Sequence, residues 1–237
     1  MIGVLGGMGP LATVDFFSKV IAATPAARDA DHVPLLIQSD PRIPARPAAI
    51  LSGALSPLPA LLAGRDRLVA GGALALAMPC NTAHFWHVEL AQGCPVPFLN
   101  IVQACCDELG TLAAPGERVG IIATRATLAA RIFDAPLLAR GYAPVLPEDG
   151  ELDTLILPGI EHVKAGRSVQ GGQLIEQAVS RLMARGAAAV ILACTETPVA
   201  LDAIASNVRA RCIDSTGALA RSCVVWWSLH GTREPAG

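Results

Sequence analysis

Short apolar runs alternate with longer amphipathic stretches along this chain. Residues 2–5, 33–38, 73–78, 96–100, 119–123, 142–146, 155–157, 190–193 and 211–214 read as strands or short extended segments. Helical spacing marks 11–23, 57–70, 82–90, 128–138, 169–184, a stretch from near Pro198, and 216–229. In the first helix, Val14, Phe17, Val20 and Ile21 fall near one face. Residues 231–237 read as a loose tail. Regular alternation of strand and helix predicts an α/β fold with mostly parallel sheets, each flanked by helices.

The pattern is stated twice. Gly72 opens an apolar run that ends at Cys80, Asn81 and Thr82. Gly186 opens another that ends at Cys194, Thr195 and Glu196. Gly3, with Leu11 and Ala12 behind it, pairs at nearly the same separation with Gly120, followed by Leu128 and Ala129. Two related lobes are expected. The predicted boundaries put 1–98 with 208–237 in the first lobe and 99–207 in the second. Open parallel sheets bind ligands beyond the carboxyl ends of their strands. Both cysteines fall there, so the site is expected in the cleft between the lobes.

Composition narrows the classes. Hydrophobic residues make up 52% of the 237 positions, enough for a sizeable core. The net charge of −2, with no basic run, offers no pull on nucleic acid or an anionic membrane. Residues before the first apolar stretch carry no basic segment, and no apolar run is long enough to span a bilayer. A cytoplasmic location is expected. Seven cysteines, an odd number, fit free thiols in a reducing compartment better than a disulfide framework. Cys94, Cys105, Cys106, Cys212 and Cys223 read as small core residues.

Cys80 and Cys194 stand apart because polar groups follow each immediately. Inverting a carbon centre needs a base on one face and a proton donor on the other. A thiolate and a thiol suffice, and they exchange roles with the handedness of the substrate. A thiol at a helix N-terminus has a lowered pKa, and both cysteines are predicted just before helices. The free N–H groups there also suit a carboxylate. Asn81, Thr82 and Thr195 add hydrogen-bonding groups. Glu196 either tunes Cys194 or caps the helix. Arg46, in a proline-rich loop, is either a carboxylate clamp or a solvated surface residue, and Lys164 is equally ambiguous.

Two other chemistries match parts of the sequence. Cys80, His84 and His87 have a spacing that zinc could use, but no second ligand pair accompanies them. His84 is expected to pack or hydrogen-bond beneath the site, and His87 to lie on a helix surface. Gly7-Met8-Gly9 with Ala12 fits a dinucleotide-binding pattern, and Asp29 follows at the usual interval. Pro10 removes a donor that a pyrophosphate needs, and Asp29 precedes its strand instead of ending it.

With these residues in hand, the chain resembles the aspartate/glutamate racemase family, the cofactor-independent amino-acid racemases. The matching pieces are Gly6 to Pro10 with Ala12 and Thr13, Pro41 with Ile43, Pro44 and Arg46, Pro79 through His84, Gly159 with Val163 through Gly166, and Cys194 through Glu196. The resemblance implies two pseudo-symmetric α/β lobes, a closing helix that returns to the first lobe, and commonly a homodimer. It implies Cys80 and Cys194 as the acid/base pair. Met8, Asn81, Thr82, Thr124 and Thr195 would line the substrate. Arg46 and Lys164 would receive carboxylates, Lys164 that of an acidic side chain. His84, Glu196 and Thr127 are candidate supporting residues on their position in the chain. No metal, nucleotide or flavin is implied. Ala45, Ala126 and Asn100 depart from the family's usual residues.

The expected function is racemisation of aspartate or a similar acidic amino acid without pyridoxal phosphate. Glutamate or a broader range of amino acids is the neighbouring alternative. A single-cysteine isomerase or decarboxylase, and a silent amino-acid-binding protein, are the others.

Overall fold

The computed structural model describes residues 1–231. The expected tail therefore lies, after Gly231, outside the described residues. The first half runs β1 (Ile2–Gly6), α1 (Pro10–Ala23), β2 (Leu35–Ser39), α2 (Arg46–Ser52), α3 (Leu58–Ala70), β3 (Ala75–Ala77), α4 (His87–Ala91) and β4 (Phe98–Leu99). Next come α5 (Ile101–Glu108), β5 (Arg118–Ala123), α6 (Arg125–Ala129), α7 (Asp134–Ala139), β6 (Ala143–Val145), α8 (Asp149–Glu151) and α9 (Leu157–Lys164). The chain closes with α10 (Ser168–Ala184), β7 (Ala187–Ala193), α11 (Glu196–Ala203), β8 (Cys212–Asp214) and α12 (Ser215–His230).

The strands form two four-stranded parallel sheets, ordered β2-β1-β3-β4 and β6-β5-β7-β8. The same order in both lobes is the structural form of the duplicated sequence. Side chains alternate across each strand, so one sheet feeds two cores. Ile2 and Val4 face a central core that also takes Val119, Ile121, Ala189 and Ile191 from the second sheet. Between the sheets lie Phe16 and Val20 of α1, Cys105 of α5 and Leu219 of α12. Leu5, Leu76 and Met78 face outward with Leu61 and Leu68 of α3. Ile122, Val190 and Leu192 do the same with Ile175 and Leu182 of α10.

The paired glycines explain how the outer helices dock. A Cβ on Gly3 would stand 3.1 Å from Leu68 Cβ in α3, and 2.7 Å from Leu76 Cδ2. A Cβ on Gly120 would stand 3.2 Å from Leu182 Cβ in α10. In both lobes the missing side chain lets a helix press against the strand.

Several elements differ from the sequence expectation. Strand β8 pairs with β7, so 212–214 belong to the second sheet and not with the first lobe. Helix α12 packs along both α1 and α5. Residues 155–157 are not extended; they lie where a π-type turn (Leu152–Ile156) runs into α9. The helix expected at 128–138 is two, with Arg131 at φ 50 turning the chain between them. On α1 the buried residues are Ala12, Thr13, Phe16 and Val20, whereas Val14, Phe17 and Ile21 are exposed.

Candidate active site

The central strands of both sheets deliver the site. Beyond β3 the chain passes Met78 and Pro79 to Cys80, and beyond β7 it reaches Cys194. Both thiols line a single cleft of about 380 Å³. Met8, Arg46, Asn81, Thr82, Thr124, Lys164, Thr195 and Glu196 line it too. His84 and Thr127 sit behind this wall, not in it. Sequence reasoning missed the opening of α1, where Pro10 and Leu11 form one rim, and Pro47 beside Arg46. A helix start after a glycine loop was the available signal.

The carbonyls of the two cysteines are held alike. His84 Nε2 accepts from the Ile101 N–H at 3.0 Å, so Nδ1 carries the ring proton and donates to Cys80 O at 2.8 Å. Burial lowers the His84 pKa to about 3, which keeps the ring neutral in that role. Thr197 Oγ1 donates to Cys194 O at 2.7 Å. His87 is not a free surface residue: it is half-buried, stacks on His84 at 5.3 Å between ring centroids, and is tied to Phe98 O at 3.0 Å. The two imidazoles serve the backbone. Among the described residues, no group of three or more His, Cys, Asp or Glu is arranged to hold a metal ion.

Neither thiol is acidified, contrary to the helix-terminus expectation. Burial raises the Cys80 pKa; the Arg46 guanidinium and the Ala83 backbone pull it back without cancelling that effect, and Glu196 adds to it. Burial pushes Cys194 up still further, together with the charge and hydrogen bond of Glu196, while the Glu196 backbone and Lys164 offset only part. Desolvation outweighs the partial charges of a helix start here. Glu196 Oε2 accepts from Cys194 Sγ at 3.0 Å and from Thr195 Oγ1 at 2.8 Å. The carboxylate therefore contacts the thiol and makes no side-chain cap on α11.

The two cations are placed differently. Arg46 opens α2, which begins despite the prolines because Pro47 suits a first helical turn. Its Nη1 donates to the carbonyls of Ile43 and Pro44, each at 3.0 Å, and its buried Nε has no partner. Lys164 ends α9, with its side chain 50% exposed and Nζ 3.0 Å from Glu161 Oε1. Burial lowers the Lys164 pKa, but Glu161, Glu196 and Cys194 together raise it above the usual value.

The lobes are stitched beneath the cleft. Thr82 and Thr127 hydroxyls lie 2.7 Å apart, and Thr127 reaches Thr124 at 3.1 Å. Asn81 Nδ2 donates to Ser215 Oγ at 2.9 Å. Of the departures from the resemblance, Asn100 caps α5 through Val102 and Gln103 N–H, Ala126 is buried in α6, and Ala45 is exposed ahead of α2. Asp29, the acid of the dinucleotide pattern, lies in an exposed turn before β2, away from the carboxyl ends of the strands.

The duplicated parallel α/β fold, with a cleft lined by residues of both halves, is shared with solved racemases. The sequence profile of the Asp/Glu/Hydantoin racemase family matches residues 5–223. The chain belongs to that family and is an isomerase, an amino-acid racemase. It is similar to the broad-specificity amino-acid racemase RacX of Bacillus subtilis, 29% identical over 228 residues, covering 94% of this chain and 96% of RacX. Its fold is similar to the aspartate racemase of Picrophilus torridus, with a TM-score of 0.81 and 30% identity over 96% of this chain and 94% of that one. The glutamate racemase RacE1 of Bacillus anthracis shares the fold at a TM-score of 0.70, with 19% identity over 98% of this chain and 82% of that one. Among the described residues no helix is long and apolar enough to cross a membrane.

Proposed function

We propose that the chain racemises aspartate or a closely similar acidic amino acid, with Cys80 and Cys194 as the two acid/base groups. The observation that carries the proposal is the presence of both thiols on one cleft, each beyond a matching strand. In the working form one cysteine is a thiolate. It takes the α-proton and becomes a thiol, leaving a carbanion-like centre. The opposite thiol gives its own proton to the other face and becomes the thiolate. No atom is gained or lost by the substrate, and the enzyme ends with its protonation reversed.

Burial raises the pKa of both thiols, so forming the thiolate requires that a proton leave. Glu196, already hydrogen-bonded to Cys194, holds that thiol protonated as the donor on its side. Arg46, whose charge favours the Cys80 thiolate, plays the supporting part on the other. Asn81 Oδ1, buried and unpartnered, accepts from the substrate ammonium, and the threonine hydroxyls of the wall hold the α-carboxylate. Arg46 and Lys164 supply the charge for a second carboxylate.

A broader substrate range is the second reading. It is favoured by RacX, which aligns along nearly its whole length, and by Lys164, which is half-exposed and already paired with Glu161. The exposed row of Leu11, Val14, Phe17 and Ile21 along α1 is the apolar face a second copy would cover in a homodimer. Seven free thiols fit a cytoplasmic setting.

The test is incubation with L-aspartate in deuterated water without added cofactor, followed by a panel of L- and D-amino acids. The expected product is D-aspartate labelled at the α-carbon. Loss of carbon dioxide would point to a decarboxylase. Binding without exchange of label would leave only an amino-acid-binding protein.

A further inference from the structure

Ser215 opens α12 and is 1% exposed. Its Oγ lies 2.9 Å from Leu192 O and 2.9 Å from Asn81 Nδ2. Leu192 O can only accept, so the one hydroxyl proton of Ser215 is committed to it. Towards Asn81 the serine can then only accept. That requirement turns the NH2 of the amide to Ser215 and leaves Oδ1 on the other side. Asn81 is 4% exposed, lines the cleft, and its Oδ1 has no protein donor. The geometry points to Ser215 as a positioning residue that fixes the orientation of the Asn81 amide and thereby makes the cleft select ligands bearing an amine.

The alternative orientation is costly. With the amide reversed, Oδ1 would face the Ser215 oxygen. Ser215 could satisfy it only by releasing Leu192 O, leaving a buried carbonyl without a donor. A buried amide oxygen without a donor is itself unfavourable until a ligand N–H reaches it. The serine therefore converts an ambiguous amide into a defined acceptor. It also links the residue after Cys80 to the strand that delivers Cys194. The ligand's identity here rests on the amino-acid reading of the cleft; the relay itself does not.

L-Aspartate and succinate differ by the amine alone and report the effect in calorimetric titrations of the parent, Ser215→Ala and Ser215→Thr. The parent is expected to prefer aspartate. In Ser215→Ala the preference narrows by about tenfold, the worth of one buried hydrogen bond to a charged group, with succinate affinity retained. Ser215→Thr, which keeps the hydroxyl, restores the preference. An unchanged ratio in Ser215→Ala, or equal weakening of both ligands, would overturn the inference. If the parent binds neither ligand, the amino-acid reading is what fails. A double-mutant cycle in melting temperature then decides the relay. Non-additive losses for Ser215→Ala and Asn81→Ala uphold it, and additive losses overturn it.

Discussion

Cys194 and Glu196 share a hydrogen bond in which the thiol Sγ stands 3.0 Å from the carboxylate Oε2. After burial, the carboxylate is the largest influence holding this thiol in its protonated form. Glu196→Gln removes the charge and lets the Cys194 pKa fall. Each unit of that fall raises the thiolate fraction about tenfold below the pKa. Iodoacetamide labelling of the Cys194 peptide at constant pH, read by mass spectrometry, is expected to quicken accordingly. Labelling at the parent rate would detach Glu196 from Cys194.

Cys80→Ser and Cys194→Ser are each expected to lower racemisation by about 10²–10⁴-fold, the usual worth of one acid/base group. Each retains one base, so each should still exchange the α-proton of one antipode with solvent. The antipode differs between the two variants. Deuterium incorporation followed by NMR separates this outcome from simple inactivation. Parent-like turnover in both would end the two-thiol assignment.

His84 gives the fold an acid-sensitive point. Its folded pKa, about 3, lies below the ordinary histidine value of 6.5. The unfolded chain therefore binds the extra proton, and acid favours unfolding. The contribution is complete above about pH 6.5 and is lost as the pH falls toward 3, by up to about 1.4 kcal/mol per pH unit. Urea unfolding at several pH values measures the slope. His84→Gln should flatten it while lowering stability near neutrality.

Lys19 of α1 reaches Asp214 at 2.8 Å and Asp15 at 2.6 Å. Asp214 is buried and caps α12 through the Gly217 N–H. Burial alone would raise its pKa, but Lys19, Gly217 and Thr216 together hold it below the usual carboxylate value. Its stabilising contribution is therefore present above that ordinary value and disappears as the pH falls through the folded one. Lys19→Met leaves Arg209, 3.5 Å away, as the remaining cation. The expected loss is about 2 kcal/mol at neutral pH, less than for a fully buried pair because Lys19 is partly exposed. Thermal melting of the variant checks it.

The lobes and the thiols were legible because the chain repeats itself. Gly3 and Gly120 occupy matching strands, Cys80 and Cys194 follow matching strands, and repetition separates a constraint from chance. Local pattern served less well where period and length were short. Leu155 to Leu157 is apolar in any conformation, and only its continuation into α9 makes it helical. Helix α5 went unread although Asn100 supplied its capping signal. The apolar row on α1 was visible, but not that it faces away from the core. The acidity of the thiols was misjudged because burial is a property of the fold, whereas a helix start can be read from sequence. Ser215 carried no signal at all. Its meaning comes from Asn81 and Leu192, which sequence places far from it.

Helix α12 anchors both halves, through Ser215 to Leu192 and Asn81 and through Arg221 to Glu108. During synthesis, every residue lining the cleft leaves the ribosome before this helix does. A nascent chain halted ahead of residue 215 would own all its catalytic parts yet lack the peg that sets one against the other. Activity is therefore expected to switch on late, with the emergence of a segment that itself lines none of the cleft.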